Sequence, residues 1–284
     1  MPNALEVRSA LPRPDRRIAS PPLLFVHGAY CDAWCWEMYV LPWFAGEGYT
    51  AHALSLRGHG RSPGRDELGS LHLADYVEDI RSVVARLGEA PILIGHSMGA
   101  ALVERIIAGD EFPGAALISP VPPSGLLPVL TRLWWGRPDF FWQAQGLQHN
   151  FSPVSASTLR EFYFTANASR EVLKGMMQHL SPESPQAVME LTWRGSTPPA
   201  SRRTPVCVIA GAEDELFTPT DAAATARRYG TEAIVIDGLP HMLMLEPGWE
   251  KMAIALRDWI RSLRPETVAA APTRRRSEAK APRQ

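Results

Sequence analysis

Cysteine is scarce in this chain. Of 284 residues only Cys31, Cys35 and Cys207 carry a thiol, an odd and small set that cannot build the paired framework of a disulfide-stapled domain. Cys31-x3-Cys35 has no matching pair downstream, so no zinc site is expected, and no other motif asks for a metal or a cofactor. The three thiols read as small apolar side chains, Cys207 lying inside the run Val206 to Ala210. Long apolar runs are missing as well: no stretch approaches the roughly 18 residues that a membrane span needs. The N-terminus is rich in Pro and Arg and has no apolar segment of the secretory kind, which makes a cytoplasmic setting the expectation. An excess of one charge is also lacking. The formal net charge is −1, which gives no electrostatic case for nucleic acid or an anionic membrane as partner. Only the ends are basic: residues 265–284 hold five Lys or Arg against two Glu, and residues 1–17 hold four Arg against Glu6 and Asp15. These ends read as solvated termini, and the tail over 265–284, without apolar periodicity, is expected to be disordered.

What the chain does have is alternation of short apolar runs with helical patterns. Leu23 to Val26 reads as a buried strand and Thr50 to Leu56 as a second. Asp75 to Leu87 carries apolar residues at helical spacing. Then follow strand 91–94, helix 98–108, strand Ala115 to Ile118, strand Val206 to Ala210, helix Thr220 to Tyr229, strand Ala233 to Ile236 and helix Trp249 to Leu263. Near-continuous apolar strands separated by helices imply a mostly parallel, doubly wound α/β sheet covered on both faces. Its ligands should sit at the carboxyl ends of the strands. The alternation breaks between Val121 and Thr204, a segment bounded by prolines and holding helical stretches such as Ser157 to Ala166 and Arg170 to Leu180. The expected organisation is therefore a discontinuous core, 1–120 with 205–264, and an inserted helical cap over 121–204.

Gly95-His96-Ser97-Met98-Gly99 stands directly after a strand and before a helix. A serine flanked by glycines two residues either side at such a junction is the form of a nucleophile elbow. The tight turn strains the serine and brings the flanking backbones close, so only small residues fit beside it. A serine hydroxyl needs a base within hydrogen-bond reach, itself oriented by a carboxylate. In a fold of this kind the chain order is Ser, then Asp or Glu, then His. Of the eight histidines, only His241 follows the last sheet strand, in a loop before a helix. No carboxylate follows strand 115–118. The loop after strand 206–210 holds Glu213, Asp214 and Glu215, of which Asp214 suits a tight turn best; the two glutamates are its alternatives. Acyl transfer also needs oxyanion donors. The backbone N–H of Met98 is one candidate, and the loop His27-Gly28-Ala29-Tyr30 offers the N–H of Ala29 as the second.

These motifs resemble the α/β-hydrolase superfamily, in its capped, esterase-like serine-hydrolase branch. The resemblance rests on Phe25-Val26-His27-Gly28, on Leu56-Arg57-Gly58-His59-Gly60-Arg61-Ser62, on the elbow, on Gly211-x-x-Asp214 with Pro219, and on Pro240-His241, and it spans about residues 20–263. It implies an α/β-hydrolase fold and places Gly58-His59-Gly60 as a structural turn outside the chemistry. Ser97 departs from epoxide hydrolases and haloalkane dehalogenases, which carry Asp at that position. Ala33-Trp34-Cys35-Trp36 also resembles the plant methylesterase and hydroxynitrile-lyase group. The lyases usually carry Thr where Gly28 stands and Lys where Met242 stands, so ester cleavage is implied over cyanohydrin cleavage.

The large apolar residues of the cap, with Tyr30, suggest a pocket in which Trp134, Trp135, Phe141 and Trp142 face the substrate, Trp134 and Trp135 as part of a mobile lid. The function expected is cleavage of an apolar, small-to-medium carboxylic ester, thioester or lactone through an acyl-enzyme. Two other readings stay open: C–C bond hydrolysis on the same triad, and a ligand receptor without activity. Monomer and dimer are both compatible with the sequence.

Overall fold

The computed structural model describes residues 4–136, 138, 155–195 and 203–263. Seven strands form one sheet: β1 (Val7–Ala10), β2 (Leu23–Val26), β3 (Ala51–Leu54), β4 (Ile92–His96), β5 (Ala115–Ile118), β6 (Val206–Gly211) and β7 (Ala233–Ile236). Their spatial order is β1-β3-β2-β4-β5-β6-β7. All pairs are parallel except β1 with β3, which is antiparallel. Strand β1 was not expected from the sequence. Its partly exposed VRSA lacks the apolar run that marks its neighbours, as befits an edge.

Alternation of side chains across the strands builds two cores. In β2 Leu24 and Val26 face one cluster while Leu23 and Phe25 face the other, and β4, β5 and β6 divide in the same way. The first face is covered by α3 (Leu73–Leu87), α4 (Met98–Ile107) and α9 (Pro219–Arg228); the second by α1 (Trp34–Glu37), α2 (Val40–Gly46) and α10 (Glu250–Ser262). Local chemistry sets the ends of these helices. The N–H of His72 bonds the Asp75 carboxylate in a capping box that opens α3, and Gly88, at φ +78, closes it. Thr218 and Asp221 form a second box at α9, with Pro219 in its first turn.

Between β5 and β6 the described chain is helical: α5 (Leu127–Gly136), α6 (Ala156–Tyr163), α7 (Arg170–His179) and α8 (Pro185–Arg194). Ser155, Ser169 and Ser184 cap α6, α7 and α8 with their hydroxyls. This connection lies over the carboxyl ends of the parallel strands, and residues of α5, α6, α7 and α8 share a cavity with the β4–α4 junction.

Candidate active site

Ser97 occupies that junction. Its backbone is left-handed, φ +54, a costly conformation for a non-glycine residue that persists only where the surroundings impose it. The imposition is visible around it. The Ser97 N–H donates to Ile118 O at 3.0 Å, and Ser97 O accepts from Ala100 N at 3.0 Å. A Cβ on Gly95 would stand 2.4 Å from Gly99 O, and one on Gly99 would stand 2.5 Å from the carbonyls of Val26 and His27. At these two positions only glycine lets β4, the turn and β2 approach this closely.

His241 lies in the loop after β7. Its Nδ1 donates to Asp214 Oδ2 at 2.8 Å, which leaves Nε2 as the unprotonated nitrogen of the neutral ring. The other oxygen of Asp214 accepts from the N–H groups of Leu216 (3.0 Å) and Phe217 (2.9 Å), so the β6–α9 loop wraps the carboxylate. Asp214 and His241 are each 3% exposed, whereas Glu213 and Glu215 point to solvent. The His241 ring meets Phe217 edge-on at 5.1 Å and Tyr163 at 5.9 Å.

His96 and His27 support the constellation from below. His96 Nε2 donates to the backbone O of His241 at 3.0 Å, tying the elbow to the histidine loop. Burial, with His241 close by, pushes its pKa well below the ordinary histidine value, so it is neutral. His27 Nδ1 donates to Gly28 O at 2.8 Å and its Nε2 accepts from Leu56 N at 3.0 Å. Burial and the neighbouring His59 lower its pKa to about 4. A Cβ on Gly28 would lie 2.9 Å from both His96 Nδ1 and the Ser97 side chain. The loop carrying Ala29 is thereby seated directly on the elbow.

Ser97, Met98, His96, His241, Ala29 and Tyr30 all open into one cavity of about 410 Å³. Its far wall comes from the β5–β6 connection, with Leu130 and Leu133 of α5, Phe162 and Tyr163 of α6, and Val188 and Leu191 of α8. No Lys, Arg, Asp or Glu lines it among the described residues. Trp134 and Trp135 do not line it, contrary to the sequence-based expectation. Leu133 and Val129 take the inward face of α5, which turns Trp135 outward to 80% exposure and Trp134 to 42%. Phe141 and Trp142 lie outside the described residues. Helix α8 and the sulfur-bearing wall of Cys31, Met176 and Met242 are not among the residues expected from the sequence. For α8 a signal was present: Ser184-Pro185 is an N-cap followed by a first-turn proline.

Comparison with known proteins decides the family. Residues 23–253 match the Alpha/beta hydrolase family. The chain belongs to that family. Among curated relatives of this alpha/beta hydrolase is a probable esterase, PIR7A, of Oryza sativa subsp. indica, 38% identical over 93 residues. That match covers 32% of this chain and only 34% of the rice protein. A monoacylglycerol lipase of Mycolicibacterium smegmatis is 25% identical over 76% of this chain and 80% of its own. A solved hydrolase from Oleispira antarctica superposes with a TM-score of 0.71 at 19% identity, covering 92% of this chain and 96% of that one, which establishes the common fold. No helix among the described residues is long and apolar enough to cross a membrane.

Proposed function

We propose that this protein is a serine hydrolase that cleaves carboxylic esters of uncharged, apolar, small-to-medium substrates. The observation that carries the reading is the buried Asp214–His241 bond opening, together with the strained Ser97, into an apolar cavity. In this reading Ser97 Oγ attacks the ester carbonyl carbon while His241 Nε2 takes its proton. Asp214 steadies the imidazolium that results. The carbonyl oxygen becomes an oxyanion facing the N–H groups of Ala29 and Met98, the latter at the N-terminus of α4, where the helix dipole favours negative charge. Collapse expels the alkoxide, which His241 protonates, and leaves an acyl-Ser97 ester. Water, deprotonated by His241, then attacks that ester and releases the acid. The described residues give the cavity no charged wall, which selects against charged acyl groups, since a buried charge finds no partner among them.

Relatives named as esterase and monoacylglycerol lipase support ester hydrolysis as the reaction type. A fluorophosphonate probe should label the wild type at one site per chain, and Ser97→Ala should abolish labelling. A folded wild type that takes up no probe would overturn the mechanism. A series of p-nitrophenyl esters of increasing acyl length should show turnover with an optimum at apolar chains. Turnover of a diketone with no ester activity would move the assignment to C–C bond hydrolysis.

A further inference from the structure

From the last residue of α7 to the start of α8, the stretch 179–184 holds the loop after β2 directly at two points and reaches it at a third through His59. His179 Nδ1 pairs with Asp32 Oδ2 at 2.8 Å, and its ring stacks on Trp34 at 4.8 Å with an interplanar angle of 3°. The Ser181 N–H donates to Tyr30 O at 3.2 Å. Tyr30 needs such a hold, because its φ of +63 is left-handed for a bulky residue. The third grip runs through Glu183. Its Oε1 accepts from Tyr76 Oη at 2.6 Å and from Ser184 N at 2.7 Å, while Oε2 stands 3.2 Å from His59 Nε2 as an ion pair rather than an aligned hydrogen bond. His59 Nδ1 donates to Arg57 O at 3.0 Å, and its ring lies 5.2 Å from that of His27, which holds the backbone at Gly28 and Leu56.

The side chains of both Glu183 and His59 are fully buried. Burial alone would protonate the one and deprotonate the other; their mutual attraction, helped by the hydrogen bonds, wins on both sides, holding Glu183 below and His59 above its ordinary value. The proton on His59 adds to burial in keeping His27 neutral. Only a neutral His27 can donate from Nδ1 and accept Leu56 N–H at Nε2 together. The other groups facing this cluster are Arg65, which opposes the charge on His59, Asp32, which favours a charge on His27, and Tyr30 and Tyr76, whose phenols burial keeps protonated. A buried ion pair is seldom the most stabilising way to fill such a space, since apolar residues of similar volume do as well or better. Its direction is what an apolar filling would lack.

We propose that Glu183 is a positioning residue: through His59 and His27 it sets where the Gly28–Ala29 backbone stands relative to Ser97. The same connection that walls the substrate cavity thus aligns the donor that meets the transition state. This rests on the serine-hydrolase reading above, and the test separates the two.

Glu183→Gln keeps the size of the side chain and an acceptor for Tyr76 but removes the charge. Active sites are counted by fluorophosphonate burst, so that unfolded molecules drop out, and kcat is taken per counted site. The expected result is a fall in kcat of roughly ten-fold or more with KM changed less than about two-fold, because an oxyanion donor acts chiefly in the transition state. His59→Gln, approaching from the other partner, should give the same fall, and the double variant no further fall. The fluorophosphonate rate constant should slow in parallel with kcat. Wild-type kcat per counted site in either single variant, with only fewer countable sites, would overturn the proposal by reducing the pair to a structural strut. A wild type without burst would instead defeat the serine-hydrolase reading itself.

Discussion

Asp214 gives one carboxylate oxygen to His241 and the other to two backbone N–H groups, and each half of that arrangement has its own consequence. The backbone bonds fix the carboxylate in place, so an isosteric amide at 214 would keep the loop folded. It would also present an N–H where His241 Nδ1–H now points, or force the ring into the wrong tautomer. Asp214→Asn is therefore expected to lower kcat by about 10,000-fold with a folded enzyme. Glu213→Gln and Glu215→Gln, both at solvent-facing positions, should stay near wild type. Steady-state kinetics on one p-nitrophenyl ester rank the three, and a larger loss at either glutamate would reassign the acid. The pairing of Asp214 with His241 was legible because, of the loops after β5 and β6, only the second carries a carboxylate close to its strand end. The ion pair of His59 with Glu183 was not. A turn histidine and a glutamate that far apart in sequence carry no local pattern, and only the folded connection brings them to 3.2 Å.

At the scale of elements, helix α5 separates two roles that its composition blurs. Its run of leucines and tryptophans is apolar on nearly every side, and composition alone cannot say which side meets the substrate. The helical period settles it in the fold: Val129 and Leu133 are buried, and Trp135 stands 80% exposed. Leu133→Trp should fill part of the cavity and shift the acyl-length optimum toward shorter chains, with kcat/KM for the longest good substrate falling about ten-fold or more. Trp135→Ala should leave the optimum where it is. A shift caused by Trp135→Ala in a p-nitrophenyl ester series would place that indole at the substrate after all. Elements of the sheet were the most legible part of the chain. Strands β2, β4, β5 and β6 are buried on both faces and so appear as unbroken apolar runs. Strand β1 and the short helices α1 and α2 escaped notice. The first lies at an edge and the others span only 4 and 7 residues, too short for a period to register.

The whole molecule carries several buried histidines in different protonation states, and together they shape its stability with pH. His27, lowered to about 4, and His96, held well below the ordinary histidine value by burial, are neutral when folded. As pH falls below 6.5 the unfolded chain takes up protons there that the native state refuses, so native stability drops. For His27 alone the loss amounts to roughly 3 kcal/mol by pH 4. The His59–Glu183 pair works in the opposite sense at its alkaline end. The raised His59 contributes stability fully present below the ordinary histidine pKa and lost as pH rises through its folded value. Glu183, lowered, contributes stability present above its ordinary value of 4.5 and lost as pH falls through its folded value. Tm measured by circular dichroism should peak near neutrality and fall on the acid side between pH 6.5 and 4. A flat acid limb would mean that His27 and His96 are not held neutral.

The helices α5 to α8 all hang on a single crossover from the top of β5 to the bottom of β6, whose strands pair along Ala115 to Ile118 and Val206 to Ile209. The span that this crossover must bridge is one strand long, whatever it carries in between. Closing a longer loop is cheap, about 0.6 kcal/mol for each doubling of length. Ser97, Asp214 and His241 all stand on the sheet side of that crossover. On the proposed reading, chemistry and selectivity are written on separable stretches of chain, and grafting a connection of different length and lining between Ser119 and Val206 is expected to retarget the reaction, provided the graft restores an anion at the place of Glu183.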